Sequence, residues 1–127
     1  MNEETILKAA AIEREARQLE ENLQLIEGQI VELDTFKESI KVVIESKDKE
    51  MLSLLGKRVY MKTKIEDKEK LFIEVGAGVV VKKTPEDILK IVKEQSGRLQ
   101  EAKIQILLKL EEYQGQLEEF LNTIGDR

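Results

Sequence analysis

Apolar residues recur at alternating steps of three and four along the first part of the chain, from about Asn2 to Lys49. Lys37 is the polar residue in this series, and Phe36 beside it covers the same stretch. A 3.5-residue repeat kept over about five heptads is typical of a coiled-coil seam. We therefore predict a first long helix over residues 1–50. Its seam consists of Ala9, Ile12, Ala16, Leu19, Leu23, Ile26, Ile30, Leu33, Ile40 and Ile44.

The apolar period changes to two between residues 51 and 83. Apolar residues there alternate with polar ones in two segments, 59–65 and 71–75, which a charged turn at 66–70 separates. Gly76-Ala77-Gly78 then leads into a β-branched run, Val79 to Val81. Alternation with many β-branched residues predicts strands. Together with a further short apolar segment at 51–55, this pattern predicts four strands in two β-hairpins.

A helix start signal follows the last of these strands. Thr84 is a candidate N-cap, Pro85 suits the first helical position, and Asp87 stands where a capping box has its acidic residue. We therefore predict a second long helix over residues 84–127. Its apolar seam consists of Ile88, Val92, Leu99, Ala102, Ile106, Leu110, Tyr113, Leu117, Phe120 and Ile124.

These elements predict an α+β fold, in which a long antiparallel helical coiled-coil hairpin carries a central insert of two β-hairpins. Both chain ends would lie at one tip of the helical pair, and the strands at the other. An isolated β-hairpin is only marginally stable in water, and exposed strand edges invite pairing with another chain. We therefore expect residues 1–127 to form a single subunit whose insert joins other subunits in a β-barrel. The expected assembly residues are Val59, Met61, Ile65, Leu71, Ile73, Val75, Val79 and Val81.

Composition and charge exclude several classes of function. The chain contains no cysteine and no histidine, so it lacks a thiol nucleophile, a Ser-His-Asp triad, the usual zinc ligands and disulfides. Its net charge of −5 offers no overall attraction to nucleic acid or to an anionic membrane. No apolar run is long enough to span a membrane, and no secretory signal is seen at the start. We expect a cytoplasmic protein without cofactor or metal.

Two stretches in the middle of the chain are distinctive: VGAGVVVKKTPED, from Val75 to Asp87, and the run from Val59 to Ile65 before the charged turn. In these stretches, most of all the first, the chain resembles a prefoldin subunit of the alpha class, of the archaeal type. The order and size of the elements extend the resemblance over essentially the whole chain. Leu54-Leu55-Gly56 stands where alpha members usually have a Val-Pro-Val/Ile-Gly run.

The resemblance implies an ATP-independent chaperone that works as an oligomer. Prefoldin subunits assemble as hexamers of two alpha-class and four beta-class chains, whose hairpins form a double β-barrel carrying six coiled coils. The coiled-coil tips hold unfolded protein clients and deliver them to a group II chaperonin. A beta-class subunit, unfolded clients and a chaperonin are therefore the partners that the resemblance implies.

Apolar residues near both chain ends are candidates for client contact. Leu117, Phe120 and Ile124 are seam positions, so helix packing alone explains them. Ile6, Leu7 and other residues off the seam are harder to bury in a two-helix structure, and exposed contiguous apolar surface often marks an interaction site. The client-binding residues that we expect are Ile6, Leu7, Ala10, Leu117, Phe120, Leu121 and Ile124.

Two other classes of function compete with a chaperone. A structural coiled-coil protein could form scaffolds or filaments through the same hairpins, and open homopolymers would favour it over a defined hexamer. An enzyme is less well supported, because no nucleophile–base pair is present. Acidic pairs such as Glu20-Glu21 are typical of solvated helix faces. Gly76 and Gly78 lack the third glycine of a dinucleotide fingerprint, so they indicate a tight turn or bulge.

Lysines on the strands form a local basic strip in an acidic protein. Such residues often protect strand edges from pairing with other chains, and this is the interpretation that we favour. Docking to an acidic surface is the functional alternative. The strip consists of Lys62, Lys64, Lys82 and Lys83.

Overall fold

A computed structural model describes residues 3–47 and 49–125 of the chain, with the side chains of residues 124 and 125 outside that description. Two long helices enclose two antiparallel β-hairpins in sequence, which confirms the predicted α+β fold. Neither helix, over the described ranges, has a segment apolar enough to cross a membrane. The elements are α1 (Glu3–Glu45), β1 (Glu50–Gly56), β2 (Val59–Lys64), β3 (Leu71–Gly76), β4 (Val79–Lys83) and α2 (Pro85–Gly125).

Helix α1 ends at Glu45, earlier than the boundary at residue 50 that the sequence pattern suggested. The apolar repeat stops at Ile44, and the amide of Ser46 donates to the carbonyl of Val42 at 2.9 Å. Residues 45–50 are all polar, so this stretch has no apolar side chain to pack against a helical partner. Strand β1 then begins at Glu50.

Hairpin 1 pairs β1 with β2 through a tight turn at Lys57 and Arg58. Both turn residues have positive φ, 47° and 67°, although neither is glycine. A two-residue turn of this hand matches the twist of the strands and usually takes Asn-Gly. The hydroxyls of Ser53 and Thr63 lie 2.7 Å apart on one face of the hairpin. This cross-strand hydrogen bond supports a register in which Ser53 stands opposite Met61.

Hairpin 2 pairs β3 with β4 and turns at Ala77 and Gly78, whose φ values are 49° and 75°. The register shifts between Glu74 and Gly76. The φ of Gly76 is 127°, a backbone conformation that residues with a side chain rarely adopt. The prediction of a tight turn or bulge at these glycines is therefore confirmed. A phosphate-binding helix does not follow them, since the chain continues directly into β4.

The start of α2 is capped as the sequence predicted. The Thr84 hydroxyl accepts a hydrogen bond from the amide of Asp87 at 3.2 Å, and the Thr84 carbonyl accepts one from Ile88 at 3.1 Å. Pro85 occupies the first helical position and is buried. Such a cap fixes where the helix begins by satisfying an amide that lacks a helical partner.

The chain divides into two compact units. We call residues 33–94 the hairpin unit; its core consists of Ile40, Ile88 and Val92, all buried. Leu71 of β3 packs against this core, together with three helical residues, so hairpin 2 is attached to the helices of its own unit. The helical residues that pack there are Leu33, Ile44 and Leu89.

We call residues 1–32 and 95–127 the helical unit. Its described seam side chains are half-buried apart from Ile30, which is buried. The ammonium of Lys103 lies 3.8 Å from the carboxylate of Glu27. Two glycines of this unit, Gly28 and Gly97, sit within helices where an added Cβ would meet no atom within 4 Å. No contact within the described chain therefore requires glycine at either position.

Candidate functional site

An open apolar groove lies in the helical unit, between the first turns of α1 and the last turns of α2. We call it the terminal groove; its volume is about 540 Å³. Helical spacing brings its α1 residues to one face, because positions three and four apart stack on neighbouring turns. The lining residues are Thr5, Ile6, Ala9, Ala10 and Glu13 from α1, and Leu117, Phe120 and Leu121 from α2.

Five of the seven predicted client-binding residues line this groove. Leu117 and Phe120 are half-buried, as their seam positions require, whereas the other three are exposed. Leu7 is exposed but does not line the groove, and the Ile124 side chain lies outside the described residues. The residues that meet there are Ile6, Ala10, Leu117, Phe120 and Leu121.

The sequence pattern missed three lining residues: Thr5, Ala9 and Glu13. Ala9 belongs to the predicted seam, where its small side chain leaves space that a larger residue would fill. Glu13 comes four residues after Ala9 and three after Ala10, so helical spacing alone could have placed it on the same face. It is the charged residue of the groove lining.

A polar contact joins the two helices elsewhere in the helical unit. The Tyr113 hydroxyl donates to the Glu15 carboxylate at 2.6 Å, and the Lys109 ammonium lies 4.9 Å from the centre of the Tyr113 ring. The hydrogen bond to Glu15 raises the pKa of Tyr113 above its ordinary value of 10.0; desolvation and the negative charge of Glu15 act in the same direction. Tyr113 was a predicted seam position, but the pattern did not reveal its partner.

We expect replacement of Tyr113 by phenylalanine to lower the thermal stability of the chain at neutral pH but not in strong base. The folded chain holds the phenolic proton more tightly than the unfolded chain, because the pKa of Tyr113 is raised. The stabilisation is therefore complete below pH 10 and is lost as the pH rises through the raised pKa. Thermal melts of both proteins between pH 8 and 11 measure this. A difference in melting temperature that stays constant over that range would contradict the assignment.

The predicted assembly residues fall into two groups. Ile65, Leu71, Ile73 and Val81 are half-buried within the chain itself, and Leu71 packs on the core of the hairpin unit. The other members keep most of their surface exposed and available to another chain. The exposed members are Val59, Met61, Val75 and Val79.

Each hairpin has a second face, opposite the one that carries the predicted assembly residues. The alternating pattern assigned this second face to polar side chains, but both hairpins expose apolar residues there as well. In hairpin 1 the register places Leu54 directly across from Tyr60, with Leu52 beside them on β1. In hairpin 2, Phe72 and Val80 are exposed in the same way. Apolar residues on both faces indicate that the hairpins are not ordinary solvent-covered ribbons.

The lysine strip makes contacts within the hairpins. The Lys62 ammonium lies 3.2 Å from the Glu50 carboxylate across hairpin 1. In hairpin 2 the Lys82 ammonium lies 5.9 Å from the centre of the Phe72 ring. Since lysine stems cover apolar surface while their charges stay in water, these contacts fit the edge-protecting interpretation.

Comparisons with known proteins agree on one family. A protein-family model described as "Prefoldin subunit" matches residues 12–126 of the chain. Prefoldin subunit alpha of Methanopyrus kandleri is 32% identical over 87 residues, which are 68% of this chain and 55% of that protein. The chain thus spans about half the length of this curated relative.

A solved structure shares the fold. A cryo-EM structure of filamentous PFD from Methanocaldococcus jannaschii superposes with a TM-score of 0.76 at 16% identity, covering 96% of this chain and 99% of the other. The order of helix, two hairpins and helix is therefore the same over nearly the full length of both chains. With the family match over residues 12–126, these observations establish that the chain belongs to the prefoldin family.

Proposed function

We propose that this chain is a subunit of an ATP-independent molecular chaperone, which holds unfolded proteins and delivers them to a group II chaperonin. Membership of the prefoldin family supports this class of function over an enzyme, because the family is one of chaperones. The observation that carries the proposal is the terminal groove, where apolar residues from both ends of the chain meet. The chaperone would act in the cytoplasm, on proteins rather than on nucleic acid or membranes.

The chemistry of the groove suits unfolded clients. Hydrophobic attraction is non-directional, so an open apolar surface can hold many different sequences. Burying one large aliphatic side chain in such a surface contributes about 1.5–3 kcal/mol. In this proposal the client contacts Ile6, Leu7, Ala10, Leu117, Phe120, Leu121 and Ile124.

The hairpins would supply the oligomer that capture requires. We propose a hexamer of two alpha-class and four beta-class chains, joined in a β-barrel through the eight predicted assembly residues. Several grooves could then hold one unfolded chain at once. Each further contact becomes intramolecular, which raises the overall affinity without any new interaction.

A paired substitution in the groove tests the proposal. Replacing both Ile6 and Leu121 by serine removes apolar surface that is exposed already, 49% and 65% respectively, so the fold should be kept. We expect at least about tenfold more assembled protein to be needed for suppression of aggregation of a denatured client. Light scattering of citrate synthase diluted from guanidinium chloride measures the effect.

The matched control replaces Leu25 and Leu108 by serine. These residues are equally exposed, 67% and 56%, and belong to the same unit but do not line the groove. The control should suppress aggregation as the parent protein does. If both double variants lost the same activity, general surface hydrophobicity would be responsible, and the groove would not be the capture site.

A further inference from the structure

We propose that the terminal groove selects apolar segments that carry lysine or arginine beside them, in preference to apolar segments with acidic flanks. This inference rests on the proposed function, since it names the class of client segment that the groove binds best. It follows from the charges around the groove rather than from its apolar lining. Three observations carry it.

The first observation is the carboxylate of Glu13 in the lining itself. Among the described residues, no side chain forms an ion pair or hydrogen bond with Glu13, and the residue is exposed. The other lining residues are apolar apart from Thr5. A client side chain that entered beside them would therefore meet the carboxylate of Glu13 directly, since Arg14 and Arg17 of the same helix do not line the groove.

The second observation is the charge of the helix segments that form the groove. No lysine or arginine stands between Lys109 and Arg127 in the sequence, while four glutamates do. On α1 the ammonium of Lys8 lies 3.6 Å from the carboxylate of Glu4, so its charge is matched. The same segment also carries Arg14 and Arg17, which do not line the groove. The glutamates of the α2 segment are Glu111, Glu112, Glu118 and Glu119, of which Glu112 is paired with the ammonium of Lys109 at 3.4 Å.

The third observation is the end of α2. The last carbonyl groups of a helix have no helical partner and carry a partial negative charge. Basic side chains commonly neutralise such an end, but the last described turn of α2 contains none, and Arg127 lies outside the described residues. A lysine or arginine of the client can therefore interact both with these carbonyls and with nearby carboxylates.

These charges have a consequence for recognition. The apolar lining attracts apolar residues of any sequence. The negative electrostatic potential around the groove then favours segments whose flanking residues are basic over segments whose flanking residues are acidic. Charged pairs at a solvent-exposed site contribute modestly to binding free energy. The electrostatic interactions therefore add a preference among client segments, while hydrophobic contacts still supply most of the affinity.

Two fluorescent peptides with the same central run of Leu, Ile and Phe test this preference. One peptide has two lysines at each end, and the other has two glutamates. We expect the assembled protein to bind the lysine-flanked peptide about tenfold more tightly at low salt, as measured by fluorescence anisotropy. The two dissociation constants should converge near 1 M salt, where the Debye length is only about 3 Å.

A substitution assigns the preference to the groove. Glu13→Gln keeps the shape of the side chain but removes its charge, so the ratio between the two peptides should fall about threefold. Glu32→Gln is the matched control, because Glu32 is an exposed glutamate of the same helix that does not line the groove. It should leave the ratio unchanged.

The possible outcomes separate the two proposals. Equal binding of both peptides at low salt would overturn the charge preference and leave hydrophobic capture standing. A preference that Glu32→Gln reduces as much as Glu13→Gln would overturn its assignment to the groove. Failure of both peptides to bind would overturn capture itself and the preference with it.

Discussion

Replacing Ile88 by alanine is expected to lower the free energy of unfolding by about 3 kcal/mol, the usual cost of removing a buried isoleucine side chain. Ile88 is only 4% exposed and lies in the core that joins α1, α2 and β3 within the hairpin unit. Ile88 is one of three buried residues in that core, so it supplies a large part of the buried apolar surface there. Urea denaturation followed by circular dichroism measures the change.

The same substitution at Ile104 provides the control. Ile104 lies on the same helix but is 55% exposed, so its loss should change the free energy of unfolding by no more than about 0.5 kcal/mol. Alanine also has a higher helix propensity than isoleucine, which offsets part of any loss of stability at this position. Equal destabilisation at the two sites would show that Ile88 does not act through burial. Both measurements need the same protein concentration, because the proposed assembly would contribute to stability.

Replacing Met61 by lysine is expected to dissociate the proposed oligomer while leaving the single chain folded. Met61 is 52% exposed on hairpin 1, so a lysine there meets water in the isolated chain. In an assembled sheet or barrel the same ammonium would be buried without a partner, at a cost of several kcal/mol. Native mass measurement, with and without a beta-class prefoldin subunit, reports the result.

Tyr60→Lys tests which face of hairpin 1 forms the assembly core. Tyr60 is 58% exposed and adjoins Met61 in sequence, but its side chain lies on the opposite face. The predicted core requires that Tyr60→Lys keep the oligomer and that Met61→Lys lose it. The reverse result would move the core to the face of Leu52 and Leu54. Open homopolymers of the parent chain would instead favour a scaffold over a chaperone.

The regular elements of this chain could be predicted from its sequence because each has a strong local signal. The heptad repeat predicted α1, and an apolar seam with the Thr84 cap predicted α2. The period of two predicted β2 and β3, and short apolar runs predicted β1 and β4. Each signal depends on residues only a few positions apart. The helix end at Glu45 was less well located, since polar residues after Ile44 are compatible with either helix or loop.

The candidate site could be predicted only in part because it depends on contacts between distant segments. Ile6 and Leu121 were recognised as apolar residues off the seam, and the groove brings them together. The role of Ala9 depends on what faces it across the groove. In the same way, Leu52 and Leu54 join the face of Tyr60 only through the register of hairpin 1. Pairwise geometry of this kind is not contained in a one-dimensional pattern.

The empty space around Gly28 and Gly97 makes the helical unit accessible to distance spectroscopy. A side chain added at either position meets no atom within 4 Å, and the chain has no cysteine of its own. A chain with one cysteine at each of the two positions can therefore carry two spin labels without a background from native thiols. Electron–electron distances between the two labels would then report whether the helices separate when a client peptide binds.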